Sequence, residues 1–154
     1  KGSEFAYPEN VAEGKAEATK HPDPEGKVPA DVGNMVGMSV VVVPSTKGDG
    51  GAARIHLGFT PDREKLVHWT NDAGNVSFHL DVGAEVTLHD INGPGLVPAT
   101  AASDEGRAIE FEIRPKKGAK LPKEIKGAAY YYVCEGTEGV CRYLRHPVTI
   151  SIGK

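Results

Sequence analysis

The sequence predicts an all-β domain, an immunoglobulin-like antiparallel sandwich of about seven to eight strands. Two observations carry this. Short segments rich in Val, Ile and Phe alternate apolar with polar residues at period two, and Gly- and Pro-rich turn sequences separate them. With nineteen Gly and eleven Pro in 154 residues, no segment between turns is long enough for a helical core. A chain of this length buries its apolar surface without needing a metal or many disulfides.

Residues 1–34 stand apart from the rest. Lys1-Gly2-Ser3-Glu4-Phe5 has the look of a tag remnant, so a signal peptide or anchor in the parent protein is not ruled out by its absence here. Pro8, Pro22, Pro24 and Pro29 then lie among charged residues with few large apolar side chains, the pattern of a Pro-rich linker or surface-hugging arm. A short helix over Val11 to Thr19 suits the Ala, Glu and Lys there, but Gly14 weakens it and no apolar stripe would dock it.

Residues 35–154 are the expected sandwich. Val40-Val41-Val42-Val43 is the apolar core of one strand. Ile55, Leu57 and Phe59 alternate with Arg54, His56 and Gly58 in the next; Val76, Phe78 and Leu80, then Val86 and Leu88, then Ile109, Phe111 and Ile113 repeat the pattern. The turns between them are Gly48-Asp49-Gly50-Gly51, Asn71-Asp72-Ala73-Gly74, Asn92-Gly93-Pro94-Gly95 and Pro115-Lys116-Lys117-Gly118. The last strand pair is expected from about Ala128 to Val133 and from about Val148 to Ile152. No internal repeat and no βαβ rhythm is present.

Several function classes lose support at this level. A formal charge of −3 with dispersed Lys and Arg supplies no basic stripe, so no nucleic acid partner is expected. No apolar run approaches the roughly 18 residues of a membrane span, and no membrane contact by this segment is expected. Neither a phosphate-cradling Gly loop nor a nucleophile elbow occurs, and no cofactor is implied. Glu110 and Glu112 share one wet strand face, which suits solvation better than acid–base chemistry. His56, His68, His79 and His89 fall in consecutive segments and could share a metal if their strands converged, whereas His21 and His146 add little; no metal ligand is assigned. Trp69 is expected in the core, with Asn71 and Asp72 forming a turn.

The two cysteines carry the remaining chemistry. Cys134 and Cys141 flank the polar loop Glu135-Gly136-Thr137-Glu138-Gly139-Val140, so paired strands would bring them within disulfide distance. The count suits an exported domain with one intrachain bridge, although a cytosolic thiol pair has the same count. Such a bond serves either as a passive staple or as a redox centre. Arg142 and Arg145 would favour a thiolate at Cys141 and Glu135 would oppose one at Cys134, which nominates Cys141 as the partner-facing sulfur.

The stretch Tyr130-Tyr131-Tyr132-Val133-Cys134-Glu135-Gly136-Thr137-Glu138-Gly139-Val140-Cys141-Arg142-Tyr143, followed by a terminal strand, resembles the end of the N-terminal periplasmic domain of the thiol:disulfide interchange protein DsbD family, and the β-domains appended to some exported thioredoxin-like proteins. That resemblance implies electron transfer from a thioredoxin-like protein or domain, through the cysteine pair, to other thiol proteins in the periplasm or another extracytoplasmic space. It implies that Cys141 forms the mixed disulfide and that Cys134 is the more buried, resolving cysteine. The cysteine spacing is one residue longer than the family's. That family shields its disulfide with a loop bearing acidic and aromatic residues; the candidate loop here, Asn92 to Ala102, has neither. Two further classes remain open beside it, a non-catalytic interaction sandwich with a structural disulfide and a periplasmic metal-binding domain.

Overall fold

A computed structural model describes residues 21–44, 51–137 and 139–152. The Val11 to Thr19 helix and most of the Gly48-Asp49-Gly50-Gly51 turn lie outside the described residues. Nine strands are present among those described: β1 (Val36–Pro44), β2 (Ala53–Pro61), β3 (His68–Thr70), β4 (Ser77–Asp81), β5 (Val86–Asn92), β6 (Ala102–Ser103), β7 (Arg107–Pro115), β8 (Glu124–Glu135) and β9 (Val140–Ser151). Every strand pairing is antiparallel. The only helical elements among the described residues are single 3-10 turns at Arg63–Lys65 and Asn71–Ala73, and none is long and apolar enough to cross a membrane.

The strands form two sheets. One has the order β1-β2-β7-β5. In the other, β8 is central, with β9 along one side and β4 and β3 end to end along the other; β6 lies beyond β3. The inward rows predicted from alternation meet between the sheets. Ile55, Leu57, Phe59, Ile109, Phe111 and Ile113 of the first sheet share one core with Phe78, Leu80, Tyr131, Val133, Val148 and Ile150 of the second. Phe78 stacks on Phe111 across the gap, with ring centroids 5.1 Å apart. The all-β sandwich expected from the sequence is therefore the fold observed.

Two strands differ from expectation. The Val40–Val43 run is not buried on both faces: Val41 and Val43 are exposed and Val40 and Val42 half-buried, because β1 is an edge strand paired only with β2. The closing hairpin is longer than predicted, since β9 begins at Val140 and pairs with β8 over twelve residues. Pro147 lies within it. Its missing N–H is tolerated because β9 is an edge strand, where a proline interrupts no ladder on the solvent side.

The space that β4 occupies beside β8 depends on Gly127. A Cβ at that position would collide with the carbonyl oxygen of His79.

Candidate functional site

Cys134 and Cys141 are directly opposite in the β8–β9 register and form a disulfide with Cα atoms 3.9 Å apart. That is shorter than the roughly 4.4 Å lower end expected for such bonds. The cysteines are strand residues, with β8 continuing to Glu135 and β9 beginning at Val140, beyond the strand bounds expected from the sequence. Gly136 and Gly139 both have positive φ, of 74° and 76°, which explains two glycines in so short a connection. The Gly136 N–H donates to the Leu66 carbonyl, tying the turn to the chain before β3.

Strand position separates the two sulfurs. Cys134 lies in the central strand with β9 on one side and His68 of β3 opposite it on the other, and it is buried. Cys141 lies on edge strand β9 and is exposed. The cysteine that the family resemblance made the resolving one is thus the covered one, and the other faces solvent. Among the described residues no cap lies over Cys141; hydrogen bonds tie the 92–101 loop elsewhere, through Asn75 to Gly95 and through Asn71 to Thr100.

The charge argument for this asymmetry fails on geometry. Neighbouring strand residues point to opposite faces, and Arg142 pairs with Val133, which is inward, so its side chain leaves β9 on the face away from the cysteines. Glu135 shares that face, and both line a cavity of about 190 Å³ with Asp31, Lys65 and Leu144. Arg145 lies four residues along β9 from Cys141 and donates to the Val28 carbonyl. The polar partner that does reach the disulfide is one the sequence did not single out. Thr70 Oγ1 lies 2.7 Å from Cys134 Sγ. A disulfide sulfur carries no proton, so the hydroxyl is the donor.

An aromatic row continues from the disulfide along the outer face of the second sheet. Tyr132 and Tyr143 are half-exposed cross-strand neighbours with centroids 6.1 Å apart, and Tyr143 stacks on Tyr130 at 6.2 Å. They give the disulfide face of the hairpin an aromatic surround. A groove of about 430 Å³ lies alongside, between Leu66–His68, Ala102–Asp104 and the Gly136–Thr137 turn.

The four sequence-nominated histidines do not converge. His56 pairs with Glu110 at 2.8 Å and His89 with Thr87 at 2.8 Å on the first sheet, while His68 bonds the Leu66 carbonyl at 3.1 Å. His79 instead meets His21, which had been set aside: the rings stack at 4.1 Å, and Asp81 lies 3.5 Å from His79 Nε2. Burial lowers the His79 pKa, with a smaller contribution from His21. The three side chains are close enough to surround an ion. His21 Nδ1, however, accepts the Asp23 N–H at 3.0 Å, so the neutral ring keeps its proton on the other nitrogen. Stacked rings also aim their in-plane lone pairs side by side and not at one point, which leaves His79 and Asp81 as a two-ligand set.

Two buried polar clusters escaped sequence reasoning. Arg107 donates to Asn71 at 2.6 Å, to Asn75 at 3.0 Å and to Glu105 at 2.8 Å, with its guanidinium over the Trp69 ring. Trp69 is in the core as expected, but Asn71 holds this arginine as well as forming a turn. Asp31 accepts the N–H groups of Met35 and Val36 and the Tyr131 hydroxyl, the last at 2.6 Å. His146 Nδ1 lies 3.0 Å from the same hydroxyl, and because that proton points to Asp31, the imidazole is the donor. Burial, then the bond to Asp31, raises the Tyr131 pKa; burial lowers that of His146. The hydrophobic pattern marks Tyr131 as inward but carries no sign of a partner in the arm.

Fold and site together define an all-β sandwich with a disulfide joining a covered central-strand cysteine to an exposed edge-strand cysteine. Comparison with known family models, curated proteins and solved structures found no match.

Proposed function

We propose that this chain is an exported thiol:disulfide interchange module that accepts electrons from a thioredoxin-like protein or domain and passes them on through Cys134 and Cys141. The observation that carries the reading is the split in accessibility. Exchange needs one sulfur open to an incoming thiolate and one that leaves and later returns. Exposed Cys141 suits the first role and covered Cys134 the second. The half-exposed Tyr132 and Tyr143 on the disulfide face suit a protein partner. The likeness of the cysteine hairpin to the DsbD family points the same way and brings with it an immunoglobulin-like architecture and a periplasmic setting.

Two measurements test the proposal. The first is the reduction potential of the pair against glutathione, together with turnover driven by thioredoxin. A potential above about −300 mV with turnover is expected; a much lower potential without turnover makes the bond structural. In the second, Cys134→Ser activated at Cys141 as a mixed disulfide with thionitrobenzoate is expected to trap a covalent complex with a thioredoxin lacking its resolving cysteine, the thionitrobenzoate leaving. Cys141→Ser should trap little, and equal trapping by both variants contradicts the assigned roles.

A further inference from the structure

Thr70 occupies the N-cap position of the 3-10 turn Asn71–Ala73, where a threonine ordinarily uses its oxygen to accept a backbone N–H. Here it makes no such bond. Its hydroxyl is instead 2.7 Å from Cys134 Sγ. The register explains how it reaches. His68 is opposite Cys134 and Trp69 opposite Val133, so Trp69 points into the core while Thr70 emerges on the face that carries the disulfide. The sulfur is otherwise buried in a central strand, a setting that opposes a charged thiolate.

We propose that Thr70 is a catalytic residue of the exchange, its hydroxyl donating to the sulfur that leaves. This rests on the interchange reading and assigns its direction. A partner thiolate attacks Cys141 Sγ along the S–S axis and forms a new S–S bond; the Cys134–Cys141 bond breaks, and its electron pair departs on Cys134 as a thiolate. The existing hydrogen bond then becomes charge-assisted and stronger, so it favours the departing state over the disulfide. The partner's second thiol gives up its proton and attacks the partner sulfur of the mixed disulfide, expelling Cys141. Overall the partner dithiol becomes a disulfide, and this pair gains its two electrons and two protons. Attack in the opposite sense would expel Cys141, which has no equivalent side-chain donor among the described residues, and would require entry to a covered sulfur.

The test uses a small dithiol, dithiothreitol, so that partner recognition plays no part. Thr70→Val keeps the side-chain shape and removes the donor, and Thr70→Ser restores it. Thr70→Val should slow reduction by roughly three- to tenfold, because a poorer leaving thiolate slows exchange, while Thr70→Ser stays close to the parent. In a Cys141→Ser background, where Cys134 is the only thiol, thiolate absorbance should develop at higher pH in Thr70→Val than in Thr70→Ser. Unchanged rate and titration in Thr70→Val overturn the proposal, as does a Thr70→Ser variant as slow as Thr70→Val, which would mean a packing effect. Loss of thioredoxin turnover in the parent protein, with the dithiothreitol kinetics still responding to Thr70, would instead count against the interchange reading alone.

Discussion

The stretch of β9 from Cys141 to His146 is built in opposite ways at its two ends. Near Arg145 and His146 its free edge is covered by the arm: the Asp31 N–H donates to the Arg145 carbonyl, the Arg145 N–H donates to the Pro29 carbonyl, and buried Asp31 fastens the arm to Tyr131. Near Cys141 the backbone edge pairs with no described residue beyond β8, and the side chains are exposed. One end is held by polar bonds out of water; the other is held by a covalent bond open to it. Under the proposed exchange, the strand would stay in place while the bond at its tip is broken and remade.

The largest expected effect comes from breaking the anchored end. Asp31→Ala leaves the Tyr131 hydroxyl and two backbone N–H groups without their acceptor, and should cost about 2–4 kcal/mol, as buried unsatisfied groups do. Urea unfolding measures it. A cost below about 1 kcal/mol would mean that water replaces the carboxylate there and that the arm is not an anchor. At the open end, Cys134→Ser combined with Cys141→Ser removes a short closed loop and should cost about 2–3 kcal/mol by chain entropy, with the sandwich still folded. Failure of the double variant to fold would make the bond structural first and exchangeable second.

The core rows and the cysteine pairing are legible in the sequence; the anchoring of β9 by the arm is not, for a physical reason. Period-two rows such as Ile55-Leu57-Phe59 and Ile109-Phe111-Ile113 report one wet and one dry face, and both are core rows. The cysteine pairing followed from a short polar loop between two strand-forming segments. Cys134 is the covered sulfur and Cys141 the exposed one, whereas the Arg142 side chain that was to favour a thiolate at Cys141 lies on the other face, because adjacent residues in a strand point to opposite faces. Asp31, Thr70 and Arg107 were invisible because each acts through a partner distant in sequence: Tyr131, Cys134 and Asn71. Local pattern reports which face a residue occupies; it does not report what stands across from it. His21 was discounted for the same reason, since its neighbour His79 lies on a strand far along the chain.

The smallest expected effect separates the two ends by pH. His146 at the anchored end and His79 under His21 both have pKa values lowered by burial, so the folded chain takes up protons on them less readily than the unfolded chain does. As pH falls from about 7.5 through the unfolded histidine value near 6.5, the unfolded state is protonated first. Stability should therefore decline over that interval and down toward the lower folded values, and stay level above it. Combining His79→Asn with His146→Asn keeps a short polar group at each position and removes the titration; urea midpoints between pH 7.5 and 5 should then lose most of their slope. Removing the disulfide should lower the whole curve without changing that slope, because a disulfide does not titrate. An unchanged slope in the histidine variant would place the acid sensitivity elsewhere, whereas a slope that vanished with the cysteines would mean that the two ends are coupled along the strand they share.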